Sequence, residues 1–79
     1  MKSFYTKEDN KTLEAIRAAL LEDGAVDVHN EYETFYGVGF DKWLRNGLAD
    51  LDCTFEVKSW NHFGYGYPWH YVITLNKNN

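Results

Sequence analysis

Cysteine is nearly missing from this chain. The single Cys53 cannot close an internal disulfide, which excludes the stapled class of small secreted domains, and it excludes a zinc site built from four cysteines. Proline occurs once, at Pro68, and there is no internal repeat, linker or low-complexity tract. Long apolar runs are absent too. The longest aliphatic run is Ala18-Ala19-Leu20-Leu21, far short of a bilayer span, and residues 1–7 hold no apolar stretch of signal-peptide length. The expectation is a soluble, cytoplasmic protein that does not engage a membrane. Bases are also few, eight against twelve acids, for a formal charge of −4. Proteins that grip nucleic acid set Lys and Arg against phosphate, so direct nucleic-acid binding is not expected.

Aromatic side chains are what the chain has in excess, at 18% of its 79 residues. That length makes one domain, residues 1–79, with a small core and no covalent staple. Each aromatic buries roughly 150–250 Å², so most are expected inside. Self-association as a homodimer is the other common remedy for a small core.

The hydropathy period assigns the elements. Leu13, Ile16 and Leu20 lie at helical spacing, with Thr6 as the expected cap, Glu8 and Asp9 in the first turn and Gly24 just past the end. A helix over residues 7–23 follows. From Ala25 to Val38 the period becomes two: Val26, Val28, Tyr32, Thr34, Tyr36 and Val38 face one way, and Asp27, His29, Glu31 and Glu33 the other. This is one long strand, or a hairpin if the chain turns near Asn30-Glu31. Phe40, Trp43, Leu44, Leu48 and Leu51 return to helical spacing, for a short helix ending near Asn46 with Gly47 as its cap, although Asn-Gly is equally a hairpin turn. Two strands close the chain. Cys53, Phe55 and Val57 alternate with Thr54, Glu56 and Lys58. Trp69, Tyr71, Ile73 and Leu75 alternate with His70, Val72 and Thr74, with Pro68 at the strand's start or on an edge. The expected fold is an α+β two-layer sandwich: an antiparallel sheet of three to four strands on a long N-terminal helix, with a short second helix.

Charge is uneven along the chain. Residues 22–56 hold nine acids and only two bases, Lys42 and Arg45. Asp27, Glu31 and Glu33 share a strand face with neighbours about 6.5–7 Å apart, close to the phosphate spacing of an extended nucleic-acid strand. Such a row, with Asp50 and Asp52, would suit a protein that inhibits a basic nucleic-acid-processing protein by mimicking its ligand. Small anti-CRISPR and anti-restriction factors share this size and charge. The plain alternative is a solvated sheet face whose charges discourage aggregation.

The segment from Trp60 to Tyr71 concentrates the rings. Trp60, Phe63, Tyr65 and Tyr67, interleaved with Gly64 and Gly66, have the composition of recognition loops and are the expected anchors for a protein partner. They equally fit a strand face lining the core.

Catalytic signals are weak. Asp27-x-His29-x-Glu31-x-Glu33 offers carboxylate and imidazole ligands, but ligands spaced about 7 Å along a strand cannot all reach one ion. Cys53 with His62 or His70 suggests a thiolate–imidazole pair, yet Cys53 falls on the apolar face, where cysteine is ordinarily inert. His70 is expected to be exposed, opposite Trp69 and Tyr71. There is no phosphate-loop glycine fingerprint or nucleophile elbow. No metal, cofactor or catalytic residue is therefore assigned. The expected function is a non-enzymatic interaction module with a basic protein partner. A small-ligand-binding or weakly enzymatic homodimer with an aromatic-lined pocket is the alternative.

Overall fold

A computed structural model describes residues 1–31, 37–60 and 68–76. In chain order the elements are β1 (Lys2–Thr6), α1 (Asn10–Asp23), β2 (Ala25–Asn30), α2 (Gly37–Gly47), β3 (Cys53–Trp60) and β4 (Pro68–Leu75). They form a four-stranded sheet in the order β1-β2-β4-β3. The α+β class is as expected, but the sheet is mixed. β1 pairs with β2 in parallel, while β2–β4 and β3–β4 are antiparallel. Parallel neighbours need a crossover, and α1 supplies it.

The N-terminal strand was not legible in the sequence, and it displaces the expected helix cap. Thr6 is the buried last residue of β1, and its carbonyl accepts from the Glu31 N–H at 2.9 Å. The cap is Asp9, whose carboxylate accepts from the Lys11 N–H at 3.0 Å and the Thr12 hydroxyl at 3.2 Å. Helix α1 is consequently shorter than the 7–23 expected and is of ordinary length, 14 residues. It ends as expected at Gly24, whose φ of +83° is the left-handed conformation that glycine adopts without a Cβ clash.

The alternation from Ala25 holds only to Asn30, where the chain turns at Glu31. The six-residue strand replaces the long one. Of that reading beyond Glu31, Tyr32, Glu33, Thr34 and Tyr36 lie outside the described residues, and Val38, expected at the strand's end, belongs instead to α2.

Both helices cover one face of the sheet. Ile16, Ala19 and Leu20 of α1, Phe40 and Leu44 of α2, and Leu48 just beyond it close over Val26, Val28, Tyr71 and Ile73 in one buried cluster. Phe4, Cys53, Phe55 and Val57 border it. Gly47 leaves room here: a Cβ at this position would stand 2.7 Å from Leu13 Cδ1, so the Leu13 side chain would have to move to admit one. Beyond the cluster, the Tyr71 hydroxyl donates to Asp41 at 2.7 Å, and Asp41 in turn accepts from Arg45 Nε at 3.0 Å. The Arg45 guanidinium lies 4.7 Å from the Phe55 ring centre, tying α2 to β3 as well. Among the described residues, no helix is long and apolar enough to cross a membrane.

Candidate functional site

The second face of the sheet carries neither helix. Strand alternation puts Ser3 and Tyr5 of β1, Asp27 and His29 of β2, His70, Val72 and Thr74 of β4, and Thr54, Glu56 and Lys58 of β3 on it. Register then decides which of these meet. Tyr5 is opposite His29 across the β1–β2 pair, and His29 is opposite His70 across β2–β4. Three rings from three strands therefore stand in a row. Tyr5 stacks on His29 with centroids 4.2 Å apart and planes 6° from parallel, and His29 stacks on His70 at 4.0 Å and 15°.

Asp27 lies against this row. Its Oδ2 is 3.0 Å from His29 Nε2 and accepts from the Ser3 hydroxyl at 3.0 Å. Its Oδ1 is in close contact with His70 Nε2. The three side chains are largely sheltered, with 12% of His29, 17% of Asp27 and 21% of His70 exposed. Burial works against the charged carboxylate. The hydrogen bonds from His70, His29 and Ser3, with the charge of His29, outweigh it and hold the Asp27 carboxyl below its ordinary value. One ligand atom from each of Asp27, His29 and His70 falls within 4.8 Å of the others. The cluster can share protons among its three groups, or gather them on a cation.

This arrangement amends three expectations. Backbone spacing does set Asp27 and His29 far apart, but their side chains lean together. His70 is mostly sheltered, because the neighbouring strand stacks His29 on it. Among the described residues, the third group of the cluster comes from across the sheet and not from Glu31. Only strand alternation hinted at this in the sequence, since it put His70 on the face opposite Tyr71 without indicating which strand would adjoin it.

Of the acids singled out in the sequence, the described ones do not share one surface. Asp27 is held in the cluster. Glu31 is exposed just past the end of β2. Asp52 precedes β3, whose first residue pairs with the last of β4, so it lies at the opposite end of the sheet, where it accepts from the Asn76 side chain at 3.1 Å. Asp50 lies in the helical layer and accepts two hydrogen bonds from Arg17, one of them 2.7 Å long. Glu33, Phe63, Tyr65, Tyr67 and the side chain of Trp60 lie outside the described residues, as does His62. Trp69 is half-buried, with its ring centre 6.0 Å from that of His29.

Cys53 pairs with Leu75, at the far end of β4 from His70, so these two do not form a nucleophilic pair. Burial, with the nearby Asp52 charge, pushes its thiol pKa up and disfavours a thiolate. No protein-family model matches the chain, and neither a curated protein nor a solved structure shows significant similarity to it.

Proposed function

We propose that the chain is a small non-enzymatic interaction module that meets a protein partner through the helix-free face of its sheet. The observation that carries this reading is the ring row on that face, ending in a Tyr5 that is 65% exposed although it stacks squarely on His29. A tyrosine held rigid by a neighbouring ring loses little entropy when a partner covers it, which is why such residues serve as binding anchors. The net charge of −4 steers encounters toward a basic surface. The partner class that fits is a basic nucleic-acid-processing protein, inhibited or adapted by the bound module. The reading does not depend on a phosphate-spaced row of carboxylates, because Asp27 is already engaged by two histidines.

The test is capture of partners from a nuclease-treated lysate by tagged wild type, by Tyr5→Ala and by the double reversal Glu31→Lys with Asp52→Lys, each first checked for native circular dichroism. A basic protein retained by the wild type should be lost with Tyr5→Ala, be weakened by the charge reversal, and be displaced from the wild type by duplex DNA. Full recovery by both folded variants would remove Tyr5 and these two charges as the means of recognition.

A further inference from the structure

We infer that Asp27, His29 and His70 form a binding site for one divalent transition-metal ion of the zinc type on the helix-free face of the sheet. Their ligand atoms lie within 4.8 Å of one another, and Asp27 Oδ2 is only 3.0 Å from His29 Nε2. A tetrahedral ion with bonds of about 2.0–2.2 Å keeps its ligands about 3.4 Å apart. That separation falls between the present contacts, so small side-chain rotations convert the cluster into a chelate without moving the strands. Two imidazoles and one carboxylate suit zinc and its first-row neighbours. Calcium and magnesium prefer sets made of oxygen alone.

The surroundings resemble a metal site in one further respect. The ligands are held in place. His29 is clamped between the Tyr5 and His70 rings, and Asp27 accepts the Ser3 hydroxyl at 3.0 Å, the kind of outer contact that orients a ligating carboxylate. His29 Nδ1 is buried and has no hydrogen-bond partner among the described residues. When neutral His29 donates its Nε2–H as a hydrogen bond to Asp27, Nδ1 is a buried acceptor with nothing to accept. When Nε2 binds an ion, the proton moves to Nδ1, which is then a buried donor. One atom is unsatisfied in either state, so the ion adds no new orphan, and its charge replaces shared protons as the counterpart of Asp27. Three protein ligands leave at least one coordination position for water or another donor. The inference stands whether or not this face also docks a protein.

Chelator-treated full-length protein would be titrated with Zn²⁺ by calorimetry and with Co²⁺ by visible absorption at neutral pH. The expected result is one ion per chain, with the intense visible bands of four-coordinate cobalt. Affinity should fall by more than roughly tenfold in Asp27→Asn and in the double variant His29→Asn with His70→Asn. Because these substitutions also alter the sheet, wild-type protein provides a second readout. In long-range ¹H–¹⁵N spectra, stoichiometric zinc should move the ring-nitrogen resonances of His29 and His70 together. Absence of binding, equal affinity in a folded double variant, or shifts confined to His62 would overturn the site.

Discussion

The two faces of the sheet are built on opposite principles. One is apolar and closed: Val26, Val28 and Ile73 share a buried cluster with residues of both helices, and the buried phenol of Tyr71 donates to Asp41. The other has polar and ionisable groups at its centre, on the same strands and one residue out of phase. Val28 and Tyr71 flank Asp27, His29 and His70 in sequence, yet they face the other way. The first face derives its stability from area removed from water, which is insensitive to pH. Stability on the second comes from charge-assisted hydrogen bonds around one carboxylate, which pH can remove. The difference shows how a chain of this size can assign most of its stability to one face and leave the other for chemistry.

Substitutions that treat the two faces unequally test this contrast. The largest effect is expected on the closed face. Leu20→Ala empties a fully buried site and should cost about 3 kcal/mol in urea denaturation, with the loss constant across pH. A loss that varied with pH would blur the distinction. Tyr71→Phe tests a polar contact beside that core. It keeps the ring and removes the hydroxyl from Asp41, for about 1.5 kcal/mol.

On the helix-free face, Asp27→Asn should cost about 1 kcal/mol near neutral pH, a figure that allows for solvent screening. Its sign follows from linkage. The folded-state pKa lies below the ordinary value of 3.8, so the unfolded chain takes up the proton first as pH falls. The contribution is therefore complete above the ordinary aspartate range and lost as pH drops through the lowered folded value. Denaturation midpoints followed from neutral pH into strong acid should show wild type and variant converging at the acid end. Parallel curves would mean that Asp27 acts by shape alone. The smallest effect belongs to the rim of the helical layer. Asp50→Asn breaks an exposed pair with Arg17 and should change stability by less than about 0.5 kcal/mol, with that change shrinking in high salt.

Elements with strong local signals were legible in the sequence. Leu13, Ile16 and Leu20 with Gly24 determined α1, and Phe40, Leu44 and Leu48 indicated α2. The alternations from Ala25, Cys53 and Trp69 determined which side chains of β2, β3 and β4 face the core. β1 was missed because five residues with only Phe4 and Thr6 turned inward give a weak pattern, while nearby Thr6, Glu8 and Asp9 imitate a helix start. The sheet's mixed character was missed with it, since the parallel pair exists only once β1 lies beside β2. Gly47 resembled a cap in the sequence, but in the fold it also leaves room for Leu13, a contact between two helices that no local pattern encodes.

The sequence by itself determined the α+β class, the inward and outward residues of most strands, the acid excess and the placing of Asp27 and His29 on one sheet face. Those follow from local geometry, because a strand turns successive side chains to opposite faces wherever it ends up. Tertiary structure alone decided that His70, far along the chain, completes their cluster and that Tyr5 stacks on His29. Both depend on which strands adjoin and in what register, and register is set by how the apolar face fits the helices. Packing on the closed face thus aligns the groups on the other.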